Sequence, residues 1–229
     1  MKIALVCPSR GMVFSKLMES VLQNLKGKEY EIFMQHGISI PNCYNFAMEA
    51  VVKSQGITHV WFVEEDHVFP NDTLDRMLAV NVDVVATAYG DRRSEVNLVQ
   101  YQNNGDVIYS GMGCMLVKRE VFDKLESPYF RTVFIELKKD EKGFVTLIPR
   151  SNIHSEGYGG QDIYFCTTLV NSGFKINLLP NSKVGHMMLM ETGKDGTNQG
   201  KHIIKTVYLP VDKNGNEIQG DNYDLCKSI

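Results

Sequence analysis

An acidic run follows directly after an apolar segment in the first third of the chain. Residues 58–63 read THVWFV, and Glu64, Glu65, Asp66 and His67 follow without a break. Side chains alternate along an extended strand, so we expect Glu64 and Asp66 on one side and Glu65 on the other. Neighbouring carboxylates repel each other unless a cation joins them. Oxygen ligands suit Mg²⁺ or Mn²⁺, and a nearby imidazole favours Mn²⁺. Alternation directs His67 away from the ion, and a solvated acidic turn is the alternative interpretation.

Two later segments carry residue types suited to a ligand site. The segment GYGGQD places three glycines before an acid that begins a helix, and glycines let a ligand approach the backbone. Asp162 would lie in the first helical turn, where the helix dipole stabilises a carboxylate. A purely helix-capping role for Asp162 is the alternative. The segment KVGH ends a predicted strand with His186, which is either a structural histidine or a ligand.

The elements that position these residues alternate between strand and helix. Strands are predicted at 2–7, 31–34, 58–63 and 83–90. A first helix is predicted from one apolar face, made of Phe14, Leu17, Met18, Val21, Leu22 and Leu25. Further helices are predicted over 43–54 and from PNDTLDRML, with Asn71 or Asp72 as the cap. This order predicts an α/β fold with a mostly parallel central sheet flanked by helices. Ligands bind beyond the carboxyl ends of such strands, where PSRG, QHG, EEDH and YGDRR lie.

The second half of the chain is predicted to contain hairpins, single strands and short helices in no regular order. A hairpin is predicted between 96–101 and 107–109, a strand at 114–118 with a short helix after it, a charged hairpin over 132–148, a helix after GGQD, and strands near 174–179 and 182–186. Residues 190–229 are polar and rich in glycine and asparagine. We expect one domain over 1–229, made of halves 1–93 and 94–189 and the extension 190–229.

The composition narrows the function classes. The net charge is −3, so no global basic field draws the chain to nucleic acid, although local basic patches are compatible with it. The five cysteines are scattered, without a Cys-x-x-Cys pair, and indicate neither a disulfide framework nor a zinc knuckle. No signal peptide and no apolar run long enough to span a bilayer is visible. These features predict a cytoplasmic protein.

Four segments, in order, resemble those of GT-A fold glycosyltransferases. The run from NCYNFAMEA to PNDTLDRML resembles their nucleotide-sugar half, in which a strand ends in a D-x-D motif. SGMGCMLVKREVFDKL, GYGGQDIYFC and VGH are similar to three downstream segments, the last of which carries a metal-ligand histidine. The resemblance extends to about residue 186 and is to family 2-like enzymes with a galactosyltransferase-like GGxD segment.

The resemblance implies roles for individual residues. Asp66, His186 and Glu64 would bind Mn²⁺ or Mg²⁺, and Glu64, at the first acidic position of the D-x-D motif, would also contact the donor. Asp162 matches the general base of inverting members, and Gln161 replaces the glutamate that usually stands beside it. The residues expected to contact or border the donor are Pro8, Ser9, Arg10, Asn45, Glu65, Asp91, Arg92, Ser110, Gly111, Gly113 and Gly160.

Two polar segments leave their roles open. Asp91, Arg92 and Arg93 either contact the donor sugar or phosphate or form a solvated loop. In the extension, Lys194, Lys201 and His202 either reach the diphosphate as part of a closing loop or belong to a terminal segment without a ligand role.

The resemblance therefore predicts a metal-dependent glycosyltransferase that uses a nucleoside diphosphate sugar, with a UDP-sugar favoured. It would act on an acceptor hydroxyl of unknown class with inversion, although a retaining outcome is left open. A DNA-base-modifying sugar transferase, a nucleotidyltransferase and a non-catalytic nucleotide-sugar-binding module are the alternatives.

Overall fold

The computed structural model of the protein describes residues 1–90, 99–102, 104–132, 135–139, 145–149 and 160–187. Asp91, Arg92 and Arg93, and the extension 190–229, lie outside the described residues. None of the described helices has the length and apolar character needed to cross a membrane.

Strands and helices alternate along the first half, as the sequence predicts. The strands are β1 (Lys2–Pro8), β2 (Glu29–Gln35), β3 (Ile57–Val63), β4 (His67–Val68), β5 (Val84–Ala86), β6 (Val99–Tyr101), β7 (Val107–Ser110), β8 (Cys114–Lys118), β9 (Ile135–Lys139), β10 (Val145–Pro149), β11 (Ile176–Leu178) and β12 (Gly185–His186). The helices are α1 (Ser15–Leu25), α2 (Ile40–Lys53), α3 (Thr73–Val80) and α4 (Gln161–Asn171), with a 3₁₀ helix over Arg119–Lys124.

The central sheet has six strands in the order β11-β5-β8-β3-β1-β2. β1 is parallel to β2 and β3, and β5 is parallel to β11. β8 runs antiparallel to both β3 and β5 and separates them. The predicted α/β class, with a mostly parallel sheet flanked by helices and a mixed second half, is confirmed. The insertion of β8 between β3 and β5 was not predicted, because local periodicity carries no information on strand order.

Helices cover both faces of the sheet, which explains the continuous apolar run in β3. Val60 and Phe62 belong to the buried core that includes residues of α2 and α4. Trp61 and Val63 alternate to the opposite core, which includes residues of α1 and α3. The carboxyl ends of β1 and β3 are thereby held at one edge of a sheet that is packed on both sides.

Two local predictions differ from the structure. The periodicity of α1 placed Leu22 on its packing face, but that side chain is 51% exposed, and the buried stripe is Leu17, Val21 and Leu25. The strand predicted at 83–90 is regular only over Val84–Ala86. Beyond Ala86, Thr87 still donates its backbone N–H to the Cys114 carbonyl (3.0 Å), so the extended course persists toward the site without a regular ladder.

Candidate metal centre and adjoining carboxylates

The acidic run forms a turn, which corrects the expectation of alternation. β3 ends at Val63, and the His67 N–H donates a hydrogen bond to the Glu64 carbonyl at 3.2 Å. Glu64, Glu65 and Asp66 are therefore not sorted onto two sides of an extended strand. Glu65 and Asp66 are buried, whereas the Glu64 side chain is 26% exposed.

A two-residue ladder brings the late histidine to this turn. β4 pairs antiparallel with β12, and His67 is the direct partner of His186. The two imidazole rings stack with centroids 4.4 Å apart and planes at 24°. The Met187 N–H also donates to the Asp66 carbonyl at 2.7 Å. Backbone pairing thus fixes His186 against residues that precede it by more than a hundred positions in the chain.

Asp66, His67 and His186 form a buried cluster of possible metal ligands. Asp66 Oδ1 lies 3.2 Å from His67 Nδ1, and Asp66 Oδ2 lies 3.5 Å from His186 Nε2. One ligand atom from each residue lies within 4.8 Å of the others. Glu64 Oε2 lies 3.7 Å from His67 Nδ1, at the margin of the cluster. His67, which alternation directed away from the ion, is therefore part of the group.

Asp66 and His186 shift each other's pKa in opposite directions. Burial alone would raise the pKa of Asp66, but hydrogen bonds from His186 and His67 hold that pKa well below its usual range. Burial lowers the pKa of His186, but its hydrogen bond to Asp66 and the charge of that carboxylate raise it above its usual value. His186 Nδ1 lies 3.2 Å from the Gly90 carbonyl oxygen, which can only accept, so Nδ1 carries a proton and Nε2 faces Asp66.

The donor set fits a divalent transition metal. One carboxylate and two imidazoles suit Mn²⁺ and similar ions better than Mg²⁺, which prefers oxygen ligands and bound water. The hydrogen bond from His186 Nδ1 to a backbone carbonyl is the kind of outer contact that orients a metal-binding imidazole. The residues present therefore fit the predicted cofactor, with Mn²⁺ favoured.

The first loop supplies the positive charge next to the cluster. Arg10 binds Glu65 through its backbone N–H, 2.7 Å from Oε2, and through its guanidinium. Arg10 Nη2 also lies 3.3 Å from Asp66 Oδ2. Burial opposes the charge of Arg10, but the hydrogen bond and charge of Glu65 raise the pKa of Arg10. Ser9 stabilises the loop by accepting the Gly11 N–H (3.0 Å), and Pro8 is the buried last residue of β1.

Two predicted glycines pack against rings of the site. The Gly113 N–H donates to the Tyr89 hydroxyl at 2.8 Å, and a Cβ atom at Gly113 would lie 2.3 Å from His67 Nε2. A Cβ atom at Gly111 would lie 2.2 Å from the Tyr89 hydroxyl oxygen. The Tyr89 ring meets the His67 ring edge-on at 4.4 Å. These positions require glycine because buried rings occupy the space of a side chain.

Tyr89 is a site residue that the sequence reasoning missed. It stands directly before the Gly90 that accepts from His186, and it is 2% exposed. Its hydroxyl pKa is raised well above the usual value by burial and by the negative charges of Glu64 and Asp162. The only available signal was its position at the carboxyl end of a predicted strand.

Asp162 lies in the first turn of α4, behind Gly160, which adopts a left-handed conformation with φ of 79°. Asp162 Oδ1 accepts the Ile163 N–H at 2.9 Å. Burial raises the pKa of Asp162, and the hydrogen bond from Ile163 opposes that shift. Apart from burial, the negative charge of Asp162 is one of the causes that raise the pKa of Tyr89, together with the charges of Glu64 and Asp66.

Asn45 and Ser110, two of the residues expected near the donor, also have partners within the protein. The Asn45 amide donates to the Phe130 carbonyl (2.8 Å) and accepts the Phe130 N–H (3.0 Å), so it joins α2 to the segment that carries Phe130. Ser110 is buried, and its carbonyl oxygen accepts from the Cys166 thiol of α4 (3.3 Å). Both residues hold elements in place around the site.

Comparisons with known proteins support the fold and leave the function open. No protein-family model and no curated protein matches the chain. The crystal structure of A197 from STIV is similar, with a TM-score of 0.56 at 20% identity over 82% of this chain and 86% of that chain. A Drosophila galactosyltransferase in complex with manganese, UDP-Gal and xylobiose gives a TM-score of 0.45 at 15% identity, over 85% of this chain and 68% of that chain. The first similarity supports the α/β fold, whereas the second is too loose to carry an argument.

Proposed function

We propose that this chain is a metal-dependent glycosyltransferase that moves a sugar from a nucleoside diphosphate sugar, with a UDP-sugar favoured, to an acceptor hydroxyl. The observation that carries the proposal is the buried group of Asp66, His67 and His186 at the carboxyl edge of the parallel strands. The sequence resemblance to GT-A glycosyltransferases, in which two of the four similar segments contain these three residues, supports the same assignment.

Asp66 and His186 would hold the metal, with His67 as a further nitrogen donor and Glu64 at the margin. When bound, a divalent cation offsets the negative charge that develops on the leaving diphosphate. Arg10 adds a partly exposed positive charge beside Asp66, and the loop of Pro8, Ser9 and Arg10 is the proposed nucleoside contact. The donor contacts proposed for Asp91 and Arg92 remain predictions.

Asp162 is the proposed general base. Its carboxylate would accept the proton of the acceptor hydroxyl while that oxygen attacks the anomeric carbon. The bond from the anomeric carbon to the diphosphate breaks on the opposite face, so a single displacement inverts the anomeric configuration. Burial raises the pKa of Asp162, which makes this carboxylate a stronger base than an exposed aspartate.

The test combines donor binding with turnover. A set of UDP-sugars is screened by thermal unfolding in Mn²⁺, because a bound ligand raises the unfolding temperature. The stabilising sugar nucleotide is then assayed for UDP release with and without candidate acceptors, and EDTA should abolish that release. If no sugar nucleotide stabilises the protein in Mn²⁺, the proposed donor class is wrong. Stabilisation without any UDP release would instead indicate a binding module.

Three matched variants separate the roles of the carboxylates. Asp66→Asn should remove stabilisation by Mn²⁺, whereas Asp162→Asn should keep it and lower transfer by about 100-fold or more. Asp123→Asn is the control, because its side chain is 66% exposed and pairs with Arg119 on the surface. Retention of transfer by Asp162→Asn would show that the base is a different residue.

A further inference from the structure

β2 forms one edge of the central sheet, and no described strand lies along its outer side. Its sequence, EYEIFMQ, contains no proline and no lysine, two residue types that commonly protect an exposed edge from pairing. Tyr30, Ile32 and Met34 are 40%, 41% and 37% exposed, respectively. Since alternate side chains share a face, these three residues form one apolar row, which we call the β2 stripe.

The backbone of β2 is also oriented for a further partner. Gln35 pairs with Pro8 of the parallel strand β1, and the Ser9 N–H donates to the Gln35 carbonyl at 2.9 Å. In a parallel ladder every second residue directs its N–H and C=O groups to the same neighbour. Gln35, Phe33 and Glu31 therefore face β1. The backbone groups of the β2 stripe consequently point away from the sheet.

We propose that a second copy of this chain binds this edge, so that two β2 strands pair antiparallel about a two-fold axis centred on Ile32. Ile32 would face the partner's Ile32, and Tyr30 would face the partner's Met34. In this register the residues that direct their N–H and C=O groups outward meet as hydrogen-bonded pairs. The pairing uses the whole length of β2 and joins two six-stranded sheets into one.

The charges of β2 fit this register. Glu29 would face the partner's Gln35, and Glu31 would face the partner's Phe33, so no carboxylate meets another. Glu31 is also paired within its own chain with Lys2, at 2.5 Å. A register centred on Glu31 would place two glutamates directly opposite each other, which destabilises an antiparallel pair. Charge therefore favours the register in which the apolar residues of both strands coincide.

The β2 stripe lies on the α1 side of the sheet. Ile3 and Leu5, which pack toward α1, are the register partners of Tyr30 and Ile32, so the stripe continues the α1 side of the sheet outward. Ile3 and Leu5 are buried, whereas the stripe is exposed. A dimer would cover the stripe and extend the apolar packing of this side of the sheet across the new strand pair.

The oligomeric state tests the proposal, which is independent of the proposed enzymatic function. Full-length protein should sediment as a dimer at about 50 µM and dissociate on dilution. Ile32→Lys would place two ammonium groups opposite each other at the axis and should raise the dissociation constant about 100-fold or more. Phe46→Lys is the control, because Phe46 is 52% exposed on α2 outside β2. Circular dichroism would verify that each variant is folded.

Disulfide trapping tests the register itself. Directly opposed residues of a hydrogen-bonded pair have Cα atoms about 5.5 Å apart, within reach of a disulfide. In a Cys226→Ser background, Ile32→Cys should cross-link with itself, whereas Tyr30→Cys should not. A mixture of Tyr30→Cys and Met34→Cys proteins should form the heterodimer. A monomeric wild-type protein, a dimer unaffected by Ile32→Lys, or self-cross-linking of Tyr30→Cys would overturn the proposal.

Discussion

Replacing Gly113 with alanine tests whether the packing around His67 maintains the cluster of Asp66, His67 and His186. The added Cβ atom would lie 2.3 Å from His67 Nε2, 2.5 Å from Cε1 and 2.7 Å from Cδ2. Carbon atoms approach non-bonded neighbours to about 3.5 Å, so the ring must move by roughly 1 Å. His67 is fully buried and stacked on His186, so it cannot move toward solvent without breaking that stack.

The expected effect has a structural and a metal-binding part. Overpacking of this kind destabilises a protein by about 1–3 kcal/mol. For a chain of this size, each kcal/mol lowers the unfolding temperature by about 2–4 °C. Displacement of His67 also disturbs the orientation of Asp66 and His186, and loss of a supporting contact typically lowers metal affinity about 10- to 100-fold. Gly113→Ala should therefore unfold earlier and gain less stability from Mn²⁺.

A double-mutant cycle makes the reasoning refutable. His67→Ala removes the ring with which the new methyl group collides, so Gly113→Ala should be tolerated much better in the His67→Ala background. The four proteins are compared by urea unfolding and by thermal unfolding with increasing Mn²⁺. Contacting residues show coupling free energies of about 0.5–3 kcal/mol. Additive effects of the two changes would show that the clash with His67 does not account for the requirement for glycine.

Two further predictions concern the pH dependence of metal binding and the contribution of Asn45 to stability. The pKa of His186 is raised, and Nε2 must be unprotonated to bind a metal. Mn²⁺ affinity should therefore increase by up to about tenfold per pH unit until the pH exceeds the raised pKa of His186. Titration calorimetry at several pH values measures this affinity. His186→Gln should lose this pH dependence. If the Mn²⁺ affinity of the wild-type protein did not change between about pH 6 and about pH 8, His186 would not be a metal ligand. Asn45→Ala should lower the free energy of unfolding by about 2 kcal/mol or more, because it leaves the N–H and C=O of Phe130 unpaired. Asn45→Asp keeps the acceptor for the Phe130 N–H but replaces the donor to the Phe130 carbonyl with a second oxygen, so it should also lower the free energy of unfolding. A change of Asn45→Ala within about 0.5 kcal/mol would contradict the role given to Asn45.

Local patterns were sufficient to predict most of the elements. Alternation of apolar strands with amphipathic helices predicted β1, β2, β3 and the intervening helices to within a few residues. The position of β8 could not be predicted, because strand order depends on contacts between segments that are far apart in the sequence. The exposure of Leu22 had the same cause, since its periodicity is that of a packing residue but the side of α1 that packs is the one with Leu17, Val21 and Leu25.

The sequence predicted that Asp66 and His186 lie close together, but it did not predict all the residues that contact them. Asp66 and His186 lie together as the resemblance implies, but alternation failed for His67 because the strand ends in a turn at Val63. The pairing of Arg10 with Glu65 was not foreseen, because no local pattern connects the first loop to the acidic turn. Tyr89 was not predicted to contact the site, because an aromatic residue at a strand end is usually part of the core.

The antiparallel strand β8 has a consequence for the order in which the protein can be made. A growing chain that has passed β3 already holds the strands needed to assemble β1, β2 and β3. β5 cannot join that unit when it leaves the ribosome, because its place is beside β8, which is synthesised about thirty residues later. β5 and β11 can therefore join the sheet only after β8 has been synthesised. His186 follows later still, so the nascent protein completes the cluster of Asp66, His67 and His186 only after all six strands of the sheet have been synthesised.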